Sequence, residues 1–152
     1  MPENVVELHD ISRVYEMGEE PLYALKQLSL SIEDGDYVAI MGTSGSGKST
    51  LMNLIGCLDR PTEGSYLLNK KDVFHLTDDE LAEIRNSTIG FVFQQFNLLS
   101  SMTAIENVML PLVYAGVDRE QRVMRAQFAL QQVGLEQRMY HRPAQLSGGQ
   151  QQ

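Results

Sequence analysis

The sequence predicts an α/β fold, on three observations. Strand-like and helix-like segments alternate along the chain. A short continuous apolar run, "YVAIM" (37–41), suits a strand covered on both faces, as in a parallel sheet. That run leads through a glycine-rich loop straight into "KSTLMNLIGCL", which places Leu51, Leu54, Ile55 and Leu58 on one helical face.

The elements come in order along the chain. "VVELHDISRVY" reads as a strand and "YALKQLSLSI" as a second, with apolar residues at alternate positions. "EDGDYV" supplies turn chemistry before the run at 37–41. "SYLLNKKDVFHL" predicts a hairpin turning at Asn69 and Lys70. "TDDEL" is a capping box, with Thr77 as N-cap and Glu80 reaching back to it. "TIGFVF" is expected to be another buried strand, and "TAIENVMLPLVYAG" begins a helical region. Asp118 caps a further helix, "REQRVMRAQFALQQV", which Gly134 ends.

With 152 residues and no evident linker, a single domain is expected. The net charge of −8 argues against a nucleic-acid partner. Arg119, Arg122 and Arg125 form the one basic cluster, and their spacing fits a solvated helix face. Cys57 stands alone, which excludes an intrachain disulfide and fits a reducing compartment; it reads as a small buried side chain. "MPENVVELHD" has no signal-peptide pattern, and the apolar stretch "VMLPLVYAGV" is too short to span a bilayer. A cytoplasmic chain is expected.

"GTSGSGKS", Gly42 to Ser49, matches the full phosphate-loop (Walker A) pattern. Gly42, Gly45 and Gly47 let the backbone turn successive N–H groups inward, with Thr43, Ser44 and Ser46 filling the loop between them. The helix beginning near Lys48, with Ser49 and Thr50 in its first turn, offers free N–H groups and a positive dipole end to the same anion. Lys48 can reach the β- and γ-phosphates, and the Ser49 hydroxyl can ligate Mg²⁺. "NKKD" (69–72) imitates the guanine-reading box of GTPases, but it comes too soon after the loop and is good hairpin chemistry. The acidic run Asp78 to Glu80 complements a helix dipole better than it makes a metal site.

"LSGGQ", Leu146 to Gln150, together with the phosphate loop, resembles the signature motif of the ABC ATPases. Within that family the chain is most similar to the bacterial group of macrolide exporters, lipoprotein-release systems and the cell-division ATPase. The stretches "SGSGKSTLMNLIGCLDRPTEG", "IGFVFQQFNLLS", "NVMLPLVYAGV" and "RPAQLSGGQQQ" carry that likeness. The resemblance implies a P-loop NTPase of ABC type, with an N-terminal antiparallel β subdomain, a parallel-sheet core and a helical subdomain. It implies ATP and Mg²⁺ as cofactors. It places Tyr15 where the family stacks adenine, with Tyr23 as the alternative. Gln94 falls at the position that meets Mg²⁺ and the attacking water, with Gln95 adjacent. "FNLLSSMT" lies where the family docks its membrane subunit, though a buried apolar cluster explains it equally. Ser147, Gly148, Gly149 and Gln150 are implied to act in trans, on the γ-phosphate held by a head-to-tail partner, which is a second copy or an intact homologue. A permease partner would hold the chain at the inner face of the membrane.

The family also needs an acidic pair at the end of an apolar strand, one acid serving Mg²⁺ and the other the attacking water. No such pair comes after Gln94, and His9, His75 and His141 precede the signature and read as surface or turn residues. Residues 1–152 are therefore expected to form a partial, truncated ABC ATP-binding domain that lacks the Walker B strand and every later element. The parallel core is then incomplete, and hydrolysis by these residues alone is expected to be very slow. Two rival readings are a nucleotide-holding fragment without turnover and an ABC ATPase that serves no transporter.

Overall fold

In the computed structural model, residues 3–17 and 20–152 are described, and the chain divides into two compact units, Met1–Arg85 and Asn86–Gln152. The first unit opens with two long antiparallel strands, β1 (Asn4–Met17) and β2 (Glu20–Glu33). β3 (Glu63–Leu68) and β4 (Lys71–Asp72) complete a sheet in the order β2-β1-β3-β4. β1 is central, and its Val6, Leu8 and Ile11 are buried, with Leu8 opposite Leu30 on one side and Tyr66 on the other. In β2, half-buried Leu28, Leu30 and Ile32 alternate with exposed neighbours, as the period-two pattern predicts.

Register shifts around Leu8–Val14 coincide with positive φ at Asp10 and, across the ladder, at Gln27. Serines take up the amides these bulges release: Asp10 N donates to Ser29 Oγ at 3.0 Å, and Gln27 N to the buried Ser12 Oγ at 3.1 Å.

Helix α1 (Lys48–Ile55) begins at the end of the glycine-rich loop and buries Leu51 and Leu54. It ends earlier than its apolar pattern suggests. Cys57 takes φ 54°, Cys57 N donates to Leu54 O, and Leu58 N donates to Asn53 O at 2.8 Å, the double closure of a Schellman cap. Leu58 consequently leaves the helical face and is 46% exposed, whereas Cys57 is buried as expected. Buried Tyr66 of β3 donates its hydroxyl to Ile55 O at 2.7 Å, and Arg85 Nη1 donates to Cys57 O, so the helix end is held from two directions. Burial pushes the Tyr66 phenol well above its usual range, which keeps it a hydrogen-bond donor. The hairpin turns where expected, with φ of 48° and 65° at Asn69 and Lys70, the two left-handed residues of a type I′ turn.

Helix α2 (Asp78–Ser87) starts at the Thr77–Glu80 capping box. In the second unit, α3 (Ala104–Tyr114) starts at a second one, Thr103–Glu106, and α4 (Arg119–Gln132) is capped by Asp118. Asp78, Asp79 and Glu80 occupy the first turn of α2, where they complement the helix dipole, and Asp78 lies within 2.8 Å of Arg60. Ala104, Ile105, Ala126, Leu130 and Leu146 form the core of this unit, with Val108, Met109 and Val123 packed against it. Arg119 and Arg125 lie on the exposed face of α4. No helix among the described residues is long and apolar enough to cross a membrane.

Two expected strands do not form. Residues 37–41 and 88–93 pair with no strand among the described residues. Tyr37 is 99%, Met41 88% and Val92 85% exposed, which corrects the expectation that these runs are buried. A strand exists only through a neighbour that supplies amides and carbonyls, and neither run has one here. The antiparallel sheet and the helical unit are present, and no parallel strand pair forms among the described residues.

The two capping boxes give a pH dependence. Glu80 and Glu106 are each held below the ordinary value of 4.5, first because each accepts the backbone N–H of its N-cap threonine. A carboxylate whose pKa falls on folding contributes stability above its unfolded value and loses it as pH drops through the lower folded one. Helicity read by far-UV circular dichroism is thus expected to be unchanged above pH 4.5 and to fall below it. Glu80→Gln with Glu106→Gln is expected to remove that acid-sensitive part, and an unaltered acid limb in the double variant would contradict the assignment.

Candidate functional site

The phosphate loop is built between β2 and α1. Gly45 and Gly47 take φ of 80° and 85°, in the left-handed region. At Gly47 a Cβ would lie 2.4 Å from Ala24 O and 2.9 Å from Leu25 Cδ2, so the loop presses directly on the β2 backbone. A Cβ at Gly42 would meet the Ser46 hydroxyl at 2.6 Å, a neighbour that can rotate away. Ser46 N donates to Thr43 O at 3.3 Å and closes the turn over Ser44 and Gly45.

Among helices α1 to α4, α1 alone lacks a side-chain cap. Its N-cap is Gly47, which offers no side-chain acceptor, and its first turn holds no acid. The helices α2, α3 and α4 are capped by Thr77, Thr103 and Asp118. The first amides of α1 are therefore left without a side-chain acceptor, an arrangement that suits an external anion. Lys48 is the first residue of that helix, a cation at the positive end of the dipole. Its Nζ donates to Gly42 O at 3.0 Å, Thr43 O at 2.6 Å and, at 3.5 Å, Ser46 Oγ. A cation poised across a loop with an uncapped helix start fits a polyphosphate, and Ser49 and Thr50 stand in the same first turn.

Tyr15 is held by its surroundings. Its hydroxyl donates to Asp59 Oδ2 at 3.0 Å, and the Arg13 guanidinium lies 4.5 Å from its ring centroid. Arg13 also grips Asp59, Nε to Oδ2 at 2.9 Å and Nη2 to Oδ1 at 2.8 Å. Tyr23, the alternative, is 50% exposed with Lys26 Nζ 5.2 Å from its ring. No motif in the residue order signals the part of Asp59. Arg13 and Tyr15 share a strand face by their spacing, but Asp59 lies 44 residues beyond Tyr15.

In the second unit Gln94 and Gln95 are both exposed, just after the stacked rings of Phe91 and Phe93. Leu99 and Phe96 of the next loop are 45% and 37% exposed, so this loop is not a closed apolar cluster. Asn107 holds it from α3, accepting from Leu99 N at 2.8 Å and donating to Leu99 O, Met102 O and Thr103 O.

The signature opens a single helical turn, α5 (Gly148–Gln151). So short a helix does not hold itself. Ser147 Oγ accepts from Gln150 N, Gln150 Oε1 accepts from Ser147 N at 3.0 Å, and Gln151 Nε2 donates to Pro143 O and Leu146 O. Leu146 anchors the turn in the core, while Ser147, Gly148 and Gly149 remain exposed. Gln151 is a second contributor that no sequence pattern singles out. His9, His75 and His141 meet Glu7, Phe74 and Arg138.

A glycine-cradled phosphate loop at an uncapped helix start, in a chain that also holds an antiparallel sheet and a helical unit carrying LSGGQ, defines an ATP-binding cassette. Residues 25–152 match the family described as ABC transporter, and the chain belongs to it. It is 52% identical, over 98% of its length, to the macrolide export ATP-binding/permease protein MacB of Aggregatibacter actinomycetemcomitans, and covers 23% of that protein. An uncharacterized ABC transporter ATP-binding protein of Thermotoga maritima is also 52% identical over 97% of the chain, which covers 63% of it. Among solved structures, the ATP-binding cassette MJ0796, a dimer in a post-hydrolysis state bound to ADP and Pi, matches with a TM-score of 0.87 and 51% identity. That match takes in 96% of this chain and 65% of MJ0796. The chain thus spans less than two thirds of each of these relatives.

Proposed function

We propose that the chain supplies the ATP-binding elements of an ABC exporter similar to the macrolide-export and lipoprotein-release systems. In this reading Gly42 to Ser49 and Thr50 hold the β- and γ-phosphates, with Lys48 as the compact cation among them. Tyr15 carries the adenine. Ser49 and Gln94 hold Mg²⁺, which, when bound, neutralises phosphate charge and helps to orient water. Ser147, Gly148, Gly149 and Gln150 serve the γ-phosphate of a head-to-tail partner. Nucleotide then joins the protomers, and a permease at the inner face of the membrane uses their closing and opening. The exposed apolar loop at 96–99 is the proposed permease contact. The dimeric MJ0796 and the fused permease of MacB support these two partners.

The observation that carries the reading is Lys48 lying across the glycine loop at the only helix start of α1 to α4 without a side-chain cap. Residues 1–152 contain no acidic pair after Gln94 at a strand end, so by themselves they bind MgATP and do not turn it over. Calorimetric titration with MgATP is expected to show saturable binding, and a phosphate-release assay on the same sample no steady turnover. Failure to bind would overturn the site. Release at the rate of an intact cassette would overturn the missing acid.

A further inference from the structure

We propose that Asp59 is a positioning residue for base recognition: with Arg13 it fixes the ring of Tyr15 and leaves one ring face for the adenine. The inference rests on the reading of Tyr15 as the adenine-stacking residue. The phenol hydroxyl and the guanidinium share one carboxylate, with the bidentate Arg13–Asp59 pair at 2.8 and 2.9 Å and the Tyr15 bond at 3.0 Å. The Arg13 and Asp59 side chains are 24% and 23% exposed, so the pair is partly shielded from solvent. The guanidinium closes one face of the ring at 4.5 Å. A base therefore stacks from the opposite face.

Asp59 is itself fixed by the helix that begins at the phosphate loop. Leu58 N and Asp59 N both donate to Asn53 O of α1, at 2.8 and 3.3 Å, and Arg60 N donates to Asp59 Oδ1 at 2.8 Å. The carboxylate thus refers the position of the ring on β1 to the far end of α1, whose near end holds the phosphates. An aromatic ring stacks productively only when its plane is held before the base arrives. Tyr23 has no such arrangement with a carboxylate among the described residues, which adds to the case for Tyr15.

The test compares the affinity of the full chain for MgATP with its affinity for inorganic tripolyphosphate, which has no base. Tyr15→Ala is expected to weaken MgATP about ten-fold, the scale of one base–aromatic stack, and to leave tripolyphosphate unchanged. Asp59→Ala is expected to reproduce that selective loss at about half the logarithmic size, and to add nothing in the Tyr15→Ala background. Should Asp59→Ala fold poorly, Asp59→Asn and Tyr15→Phe carry the test. The first keeps an acceptor for the hydroxyl, the second removes the bond and keeps the ring, and each is expected to weaken MgATP alone. Equal weakening of both ligands, or an Asp59 effect that persists without Tyr15, would overturn the positioning role. A Tyr15→Ala chain with undiminished MgATP affinity would instead overturn the Tyr15 reading on which the proposal rests.

Discussion

Alanine at position 47 is expected to abolish nucleotide binding and to cost about 3 kcal/mol of folding stability. Two independent penalties meet there. The backbone at Gly47 has φ 85°, where a residue with a Cβ is strained by about 1 kcal/mol. The new methyl would also lie 2.4 Å from Ala24 O, and a strand carbonyl has no rotamer by which to withdraw. Either β2 shifts or the loop lifts away from it, and lifting the loop re-aims the amides that face the phosphates. Thermal denaturation is expected to show a fall of about 10 °C in Tm for a chain of this size, with MgATP no longer raising it. Gly42→Ala is the internal comparison. Its methyl meets the mobile Ser46 hydroxyl, so the stability loss is expected to be small. Equal effects at the two positions would show that close approach to β2 is not what demands glycine at 47.

Lys48→Ala is expected to separate binding from folding. The variant should bind MgATP about a hundred-fold more weakly, a loss of ~2.7 kcal/mol, because a charge-assisted contact to the phosphates disappears. Stability should be unchanged or slightly higher. Lys48 is a cation at the positive end of α1, where the dipole disfavours it, and alanine is the better helix former. Its contacts to Gly42 O and Thr43 O are exposed, so solvent can replace them. Lost binding together with unchanged or raised stability is the outcome expected of a cation that serves a ligand rather than the fold. Chemical denaturation and nucleotide titration on the same preparation check both halves. Normal binding by the variant would remove the phosphate-loop assignment, and a large drop in stability would make Lys48 a structural residue instead.

The features legible in the residues are those that close within a few positions. The capping box at Thr77, the type I′ turn at Asn69–Lys70, the Asp118 cap and the glycine loop all depend on bonds between residues close together in the chain. Their geometry follows from residue type, so they stand out in one chain read alone. LSGGQ is also local, and with the phosphate loop it is enough to place the chain among the ABC proteins.

Three features were settled at longer range. The apolar runs at 37–41 and 88–93 have the composition of buried strands, but composition supplies no neighbour, and without one both lie open. Leu58 fits the apolar stripe of α1, but Tyr66 and Arg85, 11 and 28 positions from the carbonyls they bind, hold the helix end where it closes at Cys57, and Leu58 leaves that face. The Asp59 carboxylate meets Arg13 and Tyr15, 46 and 44 positions away, only because the sheet and the end of α1 bring them together. The amino-acid order specified the phosphate-loop pattern and the family, because those reside in short spacings. Which runs become strands, and which acid steadies the aromatic ring, depended on partners that only folding brings within reach.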